Sequence, residues 1–279
     1  MPILTIAALT LREAVRRRVV AIVGGLSLAL VVLIGWGLWK LDAAVQAPQA
    51  SIAINAAFTV LLAFMFSLVL AIGSAFLAAG AIVSDVENGI VLAILPRPIS
   101  RAEFVLGKWL GLAALVALYA LVFGSLGLLA IALGGKYEPP HPVGALAYLI
   151  AQSIALLSLG LLLSTRVPAL AGGVLAVALF GVSWIAGITA GIARAMHEQT
   201  LQDAASLVGL LVPTDGLWRG ALYELTPVAL LVGQAAAPGT SINPFGVTAP
   251  PPQAFVAWSC VWIVVVLAAT LRRMSVRDI

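Results

Sequence analysis

Six stretches of the chain, 19–39, 56–83, 104–133, 143–163, 167–192 and 254–271, are almost unbroken runs of apolar residues. Roughly 20 apolar residues cross a hydrocarbon core of about 30 Å as a helix, so each is long enough to span a bilayer. The pattern predicts an all-α integral membrane protein, a single domain of six transmembrane helices. The third stretch is long enough to begin outside the hydrocarbon, which leaves Lys108 free to snorkel to the interface. A seventh stretch, 221–237, contains Glu224 and Pro227 and is too short to span. It reads as an interfacial segment. Residues 1–18 place Leu4, Ala8, Leu11 and Val15 on one helical face with Thr5, Arg12 and Arg16 beside it. Glu13 and Arg17 stand i,i+4 in the favourable order. This segment reads as an amphipathic interfacial helix held by lipid.

Composition agrees, with 9% charged and 62% hydrophobic residues. A soluble domain is about a quarter charged. The net charge of +4 therefore bears on sidedness rather than on nucleic acid. Counting Lys and Arg by side, 11 fall with the two termini and 4 on the opposite side. The positive-inside rule then places both termini in the cytoplasm, in a cytoplasmic (plasma or inner) membrane. Arg12 and the run Arg16, Arg17, Arg18 precede the first long apolar stretch, which argues against a cleavable signal peptide. Trp36, Trp39, Trp109, Trp258 and Trp262 fall at or near span ends, where an aromatic belt would lie. The pairs Gly107/Gly111 and Gly187/Gly191 have close-packing spacing.

Absences narrow the chemistry. No Asp, Glu, Lys, Arg or His lies in the interior of the six stretches, which disfavours an ion relay. No HExxH pair and no GxxxxGK[ST] loop occurs, so the chain is not expected to be an enzyme or to bind ATP, magnesium or another metal itself. The lone Cys260 sits in an apolar run and reads as a small buried hydrophobe.

Charge is concentrated in the segment 84–103, between the second and third stretches. Ser84 and Glu87 have the form of a capping box that starts a helix. Val86, Ile90, Val91 and Ile94 follow at helical spacing, and Pro96 and Pro98 stop the run. Ser100 and Glu103 form a second box where the third span should begin. The short apolar helix between needs a surface to cover it, either lipid or a groove on a cytoplasmic partner.

The run Glu87-Asn-Gly89, Leu92, Leu95-Pro-Arg-Pro98, Ser100-Arg-Ala-Glu103 and Gly107-Lys108 resembles the cytoplasmic loop of ABC-2 type transporter permeases. The resemblance implies a coupling helix between spans two and three that docks an ABC ATPase. Asp85, Glu87, Asn88, Gly89, Leu92, Leu95, Arg97 and Arg101 are its expected contacts. It also implies an elbow helix carrying Arg12, Glu13, Arg16 and Arg17. The implied assembly is two permease copies with two separate ATPase chains, which bind the ATP and magnesium, and the implied direction is export. The second cytoplasmic loop, 164–168, is too short for another coupling helix.

The opposite side carries one long loop, 193–253. There Ala204, Leu207, Val208 and Leu211 form an apolar face before Pro213, and Thr214 or Asp215 is placed to cap a helix containing Leu217, Trp218 and Leu222. The segment Pro213-Thr-Asp215-Gly-Leu-Trp218-Arg219 is similar to one in permeases of nitrous-oxide-reductase maturation transporters. Such a loop is expected to pack on the ends of the spans as a lid, a gate, or a docking surface for an external partner protein. An ATP-independent membrane scaffold working through this loop is the alternative function.

Overall fold

The computed structural model describes residues 2–16, 18–44, 48–87, 100–135, 137–227, 247 and 249–276. Among them the chain forms α1 (Pro2–Val15), α2 (Arg18–Ala44), α3 (Pro48–Glu87), α4 (Arg101–Gly135), α5 (Pro142–Leu163), α6 (Ala169–Ala195), α7 (Gln199–Leu211), α8 (Thr214–Leu225) and α9 (Gln253–Val276). Helices α2, α3, α4, α5, α6 and α9 each contain a segment long and apolar enough to cross a membrane. Those segments end within a few residues of the six apolar stretches, while α3 itself begins at Pro48, eight residues before its stretch.

Helix α5 is the most enclosed of the six and is packed by α3, α4, α6, α8 and α9. Small residues make this possible. At Gly160 a Cβ would stand 3.0 Å from the Ala75 carbonyl oxygen of α3. The α3–α5 seam also holds a polar pair, with Ser67 and Gln152 exchanging hydrogen bonds at 2.9 and 3.2 Å. Helix α2 lies at the margin and exposes Ile22, Leu26, Val32, Leu33, Trp36 and Trp39, as a lipid-facing span does.

Five expectations change here. Cys260 is exposed on α9 rather than buried. Ser84 does not start a helix: α3 runs on past the apolar stretch through Glu87, because no glycine or proline interrupts it between Val83 and Glu87. Lys108 is buried at 7% exposure, with its ammonium 5.7 Å from the Phe104 ring, rather than extended to the interface. Residues 2–15 are not held by lipid alone. Leu4, Ala8 and Val15 are exposed, but Ile3, Ile6, Ala7 and Thr10 lie in a groove on α4. Finally, residues 199–225, after α6, do not lie across the span ends as a lid; they turn back and enter the bundle.

Candidate functional site

Two regions carry the side chains singled out above. At the end of the bundle that holds the termini, α4 begins with both halves of the second capping box formed. The Ser100 N–H donates to Glu103 Oε2 at 2.8 Å and the Glu103 N–H donates to Ser100 Oγ at 3.1 Å. Two orphan amides of the first turn are satisfied reciprocally, which fixes where the span starts. Beside it, Arg101 Nη1 donates to the Met274 carbonyl at 3.0 Å and the Ser275 carbonyl at 3.4 Å. A cation on the C-terminal carbonyls of α9 complements the negative end of that helix.

One turn further on, Gly107 and Gly111 receive α1. A Cβ on Gly107 would lie 2.6 Å from Ile6 Cβ, and one on Gly111 would lie 2.6 Å from the Ala7 carbonyl oxygen. The close-packing pair thus seats the elbow helix. The return end of the 84–103 segment is therefore tied to α4, α9 and α1 within about three turns.

The expected docking residues are distributed around this junction. Asp85 and Glu87 occupy the last turn of α3. Asn88, Gly89, Leu92, Leu95 and Arg97 lie outside the described residues, as does Arg17. Arg12, Glu13 and Arg16 are exposed along α1 and just after it. Arg101 is engaged with α9, a contact that its place in the sequence did not suggest.

The second region is the α7–α8 hairpin. After the turn at Met196–Glu198, where His197 adopts a left-handed φ of 59°, α7 runs back along α6. Its far end is pinned by three side chains. Trp258 Nε1 donates to the Leu210 carbonyl at 2.9 Å, Trp262 Nε1 to the Leu211 carbonyl at 2.8 Å, and Ser183 Oγ to the Val212 carbonyl at 2.7 Å. Ser183 lies 12 residues from Ala195, the end of α6, about 18 Å along the helix and near its midpoint. The tip at Val212–Pro213 therefore reaches the middle of the bundle. Irregular backbone is tolerated at that depth only when its polar groups are satisfied inside the protein. The two tryptophans and the serine do this for the last carbonyls of α7.

Helix α8 then climbs back out along α5. Trp218 packs on Phe64 of α3 with ring centroids 5.8 Å apart. At the outer end Tyr137 Oη donates to the Leu225 carbonyl at 2.9 Å, and the His141 N–H donates to the Glu224 carbonyl at 3.1 Å. His141 Nδ1 stands 3.8 Å from Glu224 Oε2. Burial pushes the Tyr137 phenol up to about 12. Glycines make the bed for the helix: a Cβ on Gly220 would meet the Tyr148 ring at 2.6 Å, and one on Gly187 of α6 would fall on the Asp215 carboxylate.

The hairpin corrects several readings of the loop. Neither Thr214 nor Asp215 caps α8, since Pro213 holds the N-cap position and no side chain caps it. Asp215 instead accepts from Arg219 Nε at 2.7 Å through Oδ2. Its own N–H donates to Ser183 Oγ at 3.2 Å. Burial pushes its carboxyl up from the ordinary value, and Arg219 pulls less strongly in the opposite direction. Asp215 Oδ1 and Thr214 Oγ1 have no hydrogen-bond partner among the described residues. The apolar face of α7 points outward, with Leu207 at 63% and Leu211 at 70% exposure. Gly191, the second member of the α6 pair, has nothing within 4 Å of a built Cβ. Apart from Lys108 near the start of α4, the described spans are free of interior charge, but the hairpin brings a charged pair in among them.

Six long apolar helices and an inward-folded hairpin with the Asp215–Arg219 pair near its tip define a multi-pass membrane protein. The chain belongs to the ABC-2 family transporter proteins, with the match running over residues 4–279. It is also 34% identical over 173 residues to the "Probable ABC transporter permease protein NosY" of Pseudomonas aeruginosa. That similarity covers 60% of this chain and spans 61% of the relative's length.

Proposed function

We propose that this chain is the membrane-embedded permease subunit of an ABC transporter, powered by ATP hydrolysed in a separate ATPase subunit. Family membership and the similarity to a permease support the class. The observation that carries the mechanism is the junction at the return end of the 84–103 segment. The capping box fixes the start of α4, Arg101 holds the end of α9, and α1 rests on Gly107 and Gly111. A push delivered to this segment by a nucleotide-driven partner reaches three helices together. Under this proposal Leu92 and Leu95 are assigned the apolar contact with the partner, Gly89 the close backbone approach, and Asp85, Glu87, Asn88 and Arg97 the polar contacts.

In this reading two permease copies pair with two ATPase chains, which hold the ATP and magnesium. The excess of Lys and Arg on the terminal side supports a cytoplasmic position for both termini. Export is the direction that the family resemblance supports. Leu92→Asp and Leu95→Asp, purified from native membranes, are expected to lose a Walker-motif ATPase that co-purifies with the wild-type chain, together with substrate-coupled ATP hydrolysis. Unchanged co-purification and unchanged coupling in both variants would remove the docking assignment. Recovery of external proteins but no ATPase with the wild type would favour the ATP-independent scaffold.

A further inference from the structure

The Asp215–Arg219 pair has no counterpart at its depth among the described residues. Asp215 is 6% exposed, and its N–H is bonded to a serine at the midpoint of α6. A carboxylate so placed requires full pairing, because burial penalises its charge. Full pairing is not present. Arg219 reaches Oδ2 through Nε alone, Oδ1 has no partner, and the neighbouring Thr214 Oγ1 has none either.

Among the described residues the surroundings offer no second charge. Helix α6 presents Gly187 and the Ser183 hydroxyl, and α5 presents the Tyr148 phenol against Gly220. Helix α3 presents Phe64 against Trp218, and α9 presents Phe255 against Gly216. On α7 the nearest ionisable side chain, Asp203, lies eight residues from its deep end at Leu211 and is exposed. On α8 itself Glu224 lies at the outer end beside His141. The state of the carboxyl is therefore decided between burial and one arginine.

We propose that Asp215 is a proton-binding site inside the bundle, and that the proton it takes up locks the α7–α8 hairpin in its docked position. Protonation at the unpartnered Oδ1 converts the carboxylate to a neutral acid and removes the charge that burial penalises. The pair changes from neutral to a net charge of +1, and the proton comes from water on the hairpin side. The direction of the linkage follows. The docked hairpin binds the proton more tightly than an Asp215 exposed to water, whose value is about 3.9. Acid therefore favours docking, and that advantage is lost as pH rises through the docked-state value. Withdrawal of the hairpin releases the proton.

The test uses the full-length chain in phosphatidylcholine nanodiscs. An infrared pH titration, read as wild type minus Asp215→Asn, is expected to show a protonated-carboxyl band with its midpoint above about 3.9. In Arg219→Gln, which removes the opposing cation, the midpoint should move further up. Hydrogen exchange of amides 214–225, corrected for intrinsic rates, should lose up to about tenfold protection per pH unit across the same interval. Asp215→Asn should show no such loss. A midpoint at or below about 3.9, pH-independent protection in the wild type, or the same pH dependence in Asp215→Asn would each overturn the proposal. If the asparagine variant does not fold, isotope-labelled aspartate in the wild type and in Arg219→Gln decides the matter.

Discussion

Gly187 and Gly191 lie one turn apart on the same helix, yet the structure predicts that replacing them with alanine has opposite effects. In a helix interior, alanine is favoured over glycine by about 1 kcal/mol. This term is common to both positions and cancels in their comparison. At Gly191 the added methyl meets nothing within 4 Å. Gly191→Ala is therefore expected to stabilise the protein by about 0.5–1 kcal/mol. At Gly187 the methyl would fall on the Asp215 carboxylate, which is held by Arg219 and cannot rotate away freely. If the hairpin shifts to relieve the clash, the overpacking cost is about 1–3 kcal/mol. If the ion pair breaks and leaves a buried charge uncompensated, the cost is about 3–5 kcal/mol. The two variants should thus differ by roughly 1–5 kcal/mol, with Gly187→Ala the less stable. Equilibrium unfolding in detergent measures the difference, and hydrogen exchange on α8 locates it. Equal stabilisation by both substitutions would refute the placement of the hairpin against α6.

Two further outcomes probe the junction and the outer anchor. Gly111→Leu is expected to displace α1, because the contact to be relieved is the Ala7 backbone carbonyl, which no rotamer change can move. Exchange protection of residues 2–15 should fall while that of α5 is unchanged, at an overpacking cost of about 1–3 kcal/mol. Tyr137→Phe removes the donor to the Leu225 carbonyl. Because the folded phenol titrates near 12 and an unfolded one near 10, the wild type should lose stability as pH rises through that interval. Denaturation midpoints of Tyr137→Phe should lack that part of the fall.

The six spans, their approximate ends and the membrane setting were legible in the sequence, because they depend on length and local hydrophobicity alone. The Ser100–Glu103 box was equally legible, since its two partners are three residues apart and need nothing else. The first box was misread for a related reason: Ser84 and Glu87 have the right spacing, but the helix entering them had no cause to stop. Tertiary structure decided the rest. Whether a Gly-xxx-Gly pair packs against a neighbour depends on which element arrives there, so Gly107 and Gly111 seat α1 while Gly191 faces open space. Whether residues 199–225 lie over the bundle or enter it depended on Trp258, Trp262 and Ser183 standing where the α7 carbonyls end. Those partners are separated from the carbonyls by 48, 51 and 29 residues. No local pattern encodes such distances. Consequently, the sequence alone described spans without interior charge, and only the packed chain placed Asp215 and Arg219 among them.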